Sequence, residues 1–205
     1  MTRRTLLGLF IVLFSTQCGS DATIETLPPA TPSPTSSLSL EDAQWAGRWQ
    51  FDYALVKLEG VAEGETDFTL GSMIRRIWEV TPGCPDGPCN SEILGSDPDK
   101  PEVQPARTVV TYVNGTYRTT QTFPPEPEQG CRAADGRVIR GAFEASNVVE
   151  AKPTKFEERD GKAVVTELFA TKTTSFRPTG TAADAGGSCT TKSAVWEGPV
   201  TPSAS

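Results

Sequence analysis

Between residues 45 and 200, strand-forming residues recur in short runs, and no stretch of useful length repeats at the 3.6-residue period of a helix. The runs are rich in β-branched and aromatic residues and stop at Gly, Pro, Asn and Asp, which is the punctuation of strands. The clearest unit is 108–113, then Asn114-Gly115, then 116–123. Asn-Gly supplies the two positive φ angles of a type I′ turn, so a hairpin is predicted there. A second is predicted from 154–159, Asp160-Gly161 and 162–176, whose long second arm alternates so that one face is apolar and the other wet. Further strands are expected over 45–57, 73–80, 92–94, 138–151 and 193–197. The fold class is mainly β: an antiparallel meander of about eight strands forming a closed or partly open barrel, with a β-sandwich as the alternative. The Pro-rich stretch 95–106 and the Gly- and Ala-rich stretch 179–188 read as exposed loops.

The ends of the chain have a different composition. Met1-Thr2-Arg3-Arg4 is a short cationic lead, and the apolar run from Leu6 to Phe14 is too short to cross a hydrocarbon core as a helix. Residues 1–17 therefore read as a signal peptide. The following Ser15-Thr16-Gln17-Cys18-Gly19-Ser20 resembles the lipobox of bacterial lipoproteins. The resemblance covers this short segment and implies cleavage before Cys18, acylation of that cysteine, and a membrane partnership through the acyl anchor on the outer, extracytoplasmic face. The family favours Leu and Gly or Ala where this chain has Ser15 and Gln17. The alternative is a small-residue site at Ser20-Asp21-Ala22, with cutting after Ala22, loss of Cys18 and plain secretion. Residues 18–42 are rich in Pro, Ser and Thr and read as a tether, because such a composition buries too little apolar area to offset its ordering entropy. That leaves a single β-domain over 43–200 and a disordered tail over 201–205.

The chain holds 5 cysteines. Assigning Cys18 to a lipid leaves Cys84, Cys89, Cys131 and Cys189, an even set suited to an oxidising compartment. These permit three pairings, and the small ring available to Gly83-Cys84-Pro85-Asp86-Gly87-Pro88-Cys89 favours Cys84–Cys89 together with Cys131–Cys189. The redox spacing Cys-x-x-Cys and the two close pairs of a structural zinc site are both missing. The phrase from Trp78 to Cys89, Trp-x-Val-Thr-Pro-x-Cys-Pro-x-Gly-Pro-Cys, resembles small secreted or lipid-anchored bacterial domains of unknown function, and implies no activity.

Formal net charge is −7, and loss of Arg3 and Arg4 with the signal makes the mature chain more acidic. Such a body repels a phosphate backbone, and no cluster of Lys and Arg interleaved with aromatics offsets it, so nucleic acid is excluded as a partner. There is no histidine, which removes Ser-His-Asp and Cys-His catalysis and the commonest metal ligand. No cofactor is implied. The remaining catalytic option is a carboxylate pair, for which Glu157-Glu158 and Asp97 with Asp99 are the candidates; all read more simply as solvated charges. Asn114-Gly115-Thr116 fits a glycosylation pattern, but the hairpin turn accounts for it.

Gly47-Arg48-Trp49 resembles the Gly-x-Trp that opens lipocalin barrels. That resemblance implies that Trp49 closes one end of a barrel beneath a later Arg, here Arg177, and that the interior is an apolar ligand cavity. The alternative is that Trp49, with Trp45, Trp78 and Trp196, is simply core. Together these readings point to a surface-tethered, non-enzymatic lipoprotein that binds a small apolar ligand or an envelope component. Two further readings stay open, a carboxylate-type hydrolase of envelope glycans and an interaction module of a membrane complex.

Overall fold

The computed structural model describes residues 37–61 and 69–204. Its strands are β1 (Gly47–Glu59), β2 (Met73–Pro82), β3 (Ser91–Ser96), β4 (Ala106–Val113), β5 (Thr116–Phe123), β6 (Gly130–Arg132), β7 (Val138–Arg140), β8 (Phe143–Arg159), β9 (Lys162–Pro178) and β10 (Lys192–Pro202). They close in the order β1-β10-β9-β8-β5-β4-β3-β2, every neighbouring pair antiparallel, while β6 and β7 form a two-stranded hairpin outside the ring. The fold is thus a closed eight-stranded antiparallel meander barrel, and no strand edge of the main sheet is left open over the paired segments.

Both predicted hairpins are present. Asn114 (φ 49°) and Gly115 (φ 78°) join β4 to β5, and Asp160 (φ 53°) and Gly161 (φ 74°) join β8 to β9. All four residues take the left-handed conformation that a type I′ turn demands.

Several boundaries differ from the sequence pattern, each for a local reason. The expected strand 138–151 is two elements, because Gly141 turns the chain at φ 58° between β7 and β8. Conversely, 143–159 is one strand, although Pro153 reads as a break. Pairing of β8 with β5 ends at Ala151, and the register against β9 shifts at Pro153 and again at Lys155, so the imino acid sits where one ladder has stopped and the other is bulged. Trp45 precedes β1 rather than starting it. The stretch 179–188 is not wholly exposed: it holds a 3₁₀ turn, Gly180–Ala182, whose Ala182 is fully buried beside Phe143 and the Cys131–Cys189 bridge. The first residues of the predicted tail are ordered: Thr201 and Pro202 belong to β10 and pair with Gln50 and Trp49, and the Ser203 amide donates to the Arg48 carbonyl at 2.9 Å.

The two ends of the barrel are built differently. At one end, here called the floor, lie the β2–β3, β4–β5 and β8–β9 turns; the opposite end, the mouth, carries the β3–β4, β5–β8 and β9–β10 connections. The segment before β1 folds into the floor. Ser39 caps the 3₁₀ turn Leu40–Asp42, the Gln44 amide donates to the Ala163 carbonyl and the Val165 amide to the Gln44 carbonyl, both at 2.9 Å. These contacts seat Trp45, which is fully buried with its ring centroid 4.8 Å from Tyr117 and 6.1 Å from both Trp49 and Trp78. Each such aromatic buries a large apolar area in edge or tilted contact, so the floor half is a packed plug. The predicted tether therefore ends in folded structure, with Leu38 packed against the core. The signal peptide, Cys18 and the tether through residue 36 lie outside the described residues.

Candidate ligand-binding cavity

An eight-stranded barrel leaves an interior that side chains can fill or that can hold one small ligand. Here the floor half is filled and the mouth half is not: above Trp78, Ile93 and Val149 lies a cavity of about 270 Å³. Its residues face inward because they share strand parity with buried neighbours. Lys172 of β9 is directly opposite Val149 of β8 on one side and Trp196 of β10 on the other. Both are buried, so the lysine is on the inner face. By the same logic Arg76 of β2 is opposite Phe51, and Gln121 of β5 is opposite Asn147 of β8.

These residues form a polar collar above an apolar base. Arg76 is paired with Asp97, its guanidinium 3.1 Å from the carboxylate, and Asp97 belongs to the β3–β4 connection at the mouth. The Asn147 side-chain oxygen accepts from the Thr174 hydroxyl at 2.7 Å, which leaves its amide hydrogens for other partners. Tyr53 also lines the cavity; its hydroxyl is buried and makes no hydrogen bond among the described residues. Burial pushes that phenol above its ordinary value. Burial also lowers the Lys172 ammonium from 10.5 to about 8, with the Arg76 charge acting in the same direction and Asp97 against it. Among the described residues the collar thus carries two cations and one carboxylate, and the carboxylate is already engaged.

The residues singled out in the sequence fall elsewhere. Trp49 is buried near the floor, its indole N–H donating to the Ala46 carbonyl at 2.8 Å. Arg177 is exposed in the last residues of β9, opposite Glu144. The two lie at opposite ends of the barrel wall, so Arg177 does not cover Trp49, and neither lines the cavity. Both disulfides are closed, Cys84–Cys89 at the floor and Cys131–Cys189 at the mouth, with Cα separations of 6.2 and 5.1 Å. Of the candidate carboxylates only Asp97 reaches the cavity. Asp99 is exposed in the same connection, and Glu157 and Glu158 stand at the floor-end hairpin, Glu157 paired with Arg159 at 3.0 Å. Among the described residues no group of three or more Cys, Asp or Glu is placed to hold a metal.

The collar itself was missed by sequence reasoning, yet a signal for it exists. Leu168, Ala170 and Lys172 share one parity on β9; Tyr117, Thr119 and Gln121 share one on β5; Arg76, Trp78 and Val80 share one on β2. In each strand a polar residue continues the apolar face toward the same end of the molecule. A polar side chain in an apolar row reads as an ordinary strand end until closure shows that several such rows converge. Set against family models, curated proteins and solved structures, the chain matches none.

Proposed function

We propose that this protein is an exported, surface-tethered binding barrel, anchored through acylated Cys18, that takes one small molecule into the mouth half of its interior. The observation that carries the reading is the 270 Å³ cavity with an apolar base and a polar collar. Concave, mostly apolar sites with a few convergent polar groups are the usual form of small-molecule pockets, and this one is just below the roughly 300–1,000 Å³ range typical of drug-sized ligands. The first described residues pack at the floor, and the mouth is the opposite end of the barrel. Among the described residues a single carboxylate lines the cavity and is held by Arg76, whereas glycan hydrolysis needs two carboxyl groups about 5–10 Å apart across the substrate. That favours binding over hydrolysis.

Native mass spectrometry of the protein purified from membranes tests both halves of the proposal. The expected result is a diacyl or triacyl mass on Cys18 and a non-covalent adduct at one per chain that is lost from the cavity-filling variant Thr119→Phe. A mature N-terminus at Thr23 with no acyl mass overturns the anchor. An adduct retained by Thr119→Phe places the ligand elsewhere and overturns the cavity reading.

A further inference from the structure

We infer that the molecule held in this cavity carries a carboxylate, and that Lys172 is its counter-charge, with the Tyr53 hydroxyl as a second donor to the same group. The inference rests on the binding reading above and names the chemical class of the ligand.

The first observation is the charge balance inside the barrel. Arg76 has Asp97, but Lys172 makes no ion pair or hydrogen bond among the described residues, although it faces inward between Val149 and Trp196. Asp97 attracts the lysine but is itself paired with Arg76, so the hydration lost by Lys172 is only partly offset, and the negative group of a ligand would complete the balance. The second observation is independent of charge. Tyr53 comes from β1, on another part of the wall, and is 99% buried by its 1% exposure, with a hydroxyl that has no partner. Buried polar atoms are normally satisfied, so an orphaned hydroxyl lining a cavity marks a place where an acceptor binds.

The rest of the collar is also rich in donors. The Asn147 oxygen accepts from Thr174, its amide N–H groups make no hydrogen bond among the described residues, and Gln121 beside it brings a second side-chain amide to the cavity lining. Among the described residues the site offers an ammonium with no ion pair of its own, a phenol with no hydrogen bond and amide donors, a set that a negative group rich in acceptors would satisfy. A carboxylate fits, since it accepts from several donors at once through two oxygens. The remainder of such a molecule lies on Trp78, Ile93 and Val149, where apolar contact is what the walls offer.

Octanoate and 1-octanol serve as a matched pair of probes, with octyl phosphate as a third, their binding followed at pH 7 by Trp fluorescence and calorimetry on the mature chain. Octanoate is expected to bind at least about tenfold more tightly than octanol, a difference of about 1.4 kcal/mol. In Lys172→Met the preference is expected to vanish while octanol binding is kept, in Lys172→Arg it is expected to be retained, and in Tyr53→Phe octanoate alone weakens. Thermal unfolding of each variant checks that it folds. Equal binding of octanoate and octanol by the native chain, or an undiminished preference in Lys172→Met, overturns the carboxylate assignment and leaves the cavity reading standing. Octyl phosphate bound tenfold better than octanoate overturns the carboxylate in favour of a phosphoryl head. Failure of all three probes to bind overturns both readings together.

Discussion

The side-chain amide of Gln44 donates to the backbone carbonyl of Cys84 at 2.9 Å. That one bond ties the segment seating Trp45 to the disulfide-closed turn between β2 and β3. Lys162, next to the β8–β9 turn, reaches the same loop through an ion pair with Asp86 and a 3.4 Å hydrogen bond to the Pro85 carbonyl. The small ring therefore anchors the plug and a neighbouring hairpin at once.

Removing that ring is expected to loosen the floor. Cys84→Ser with Cys89→Ser should lower stability by about 2 kcal/mol from loop entropy, read as a lower urea midpoint with the slope nearly unchanged. Protection of the Gln44 and Val165 amides in hydrogen exchange should fall with it. Unchanged protection would show that the segment holds itself in place.

The second bridge spans 58 residues, from β6 to the β9–β10 connection. Its loss in Cys131→Ser with Cys189→Ser should cost about 4 kcal/mol on the same model, roughly twice the first. Equal effects from the two pairs would mean that chain entropy does not govern their contribution.

Trp45 has every side of its ring in contact with the core and is 0% exposed. Trp45→Ala is expected to destabilise by about 3–5 kcal/mol, because transfer energy and the cavity left behind add. Urea unfolding measures it, and a loss below about 1 kcal/mol would mean that the floor collapses into the space.

Gly198 lies against the β1 backbone at Asp52 and Tyr53. A Cβ built there overlaps the carbonyl oxygen of Asp52, which is fixed backbone rather than a mobile side-chain tip. Gly198→Ala should therefore break the β1–β10 seam that closes the barrel. Circular dichroism and thermal unfolding are expected to show a chain that is unfolded or melts at a markedly lower temperature, in contrast to Gly115→Ala, where a Cβ meets nothing and the strain is confined to φ.

Lys172 makes stability depend on pH in a defined direction. Its proton is held less tightly in the fold than in the unfolded chain, about 8 against 10.5. Between those values the unfolded state binds more protons, so stability rises with pH; below about 8 both states are protonated and the full penalty of burying the charge remains. Burial raises the Tyr53 and Tyr117 hydroxyls above 10, and groups shifted upward add stability that is lost above the unfolded value. The rise is therefore read between about pH 8 and 10. The Tm of the native chain is expected to climb over that range. Lys172→Met should have a higher Tm at pH 7 and no climb. A native profile that is flat or falls from pH 8 to 10 would contradict the lysine's burial.

Much of the architecture is legible along the chain. Period-2 alternation identifies strands because a closed sheet must keep one face dry, and Asn-Gly and Asp-Gly mark their hairpins because few other pairs tolerate two positive φ angles. The disulfide partners follow in the same way, since a ring as small as 84–89 closes locally whatever the rest of the chain does. Less legible are Pro153 and Gly141. Proline reads as a break, but its cost vanishes where β8 has already left β5, and glycine inside an alternating run reads as tolerable until its φ of 58° turns the chain.

By itself, then, the amino-acid order determined most of the strands, their hairpin turns, the small 84–89 ring and the meander, which are set by neighbours in sequence, and the second bridge by elimination among the cysteines that remain. Only tertiary structure decided that the sheet closes, that Trp45 folds back to fill one end, and that Tyr53, Arg76, Gln121, Asn147 and Lys172 face one cavity at the other. Those residues come from separate strands, β1, β2, β5, β8 and β9, and nothing in their local spacing relates them. Their meeting is fixed by the register of the whole ring, because each ladder sets the level of the next strand and a one-residue slip in any of them turns that strand's inner residues outward.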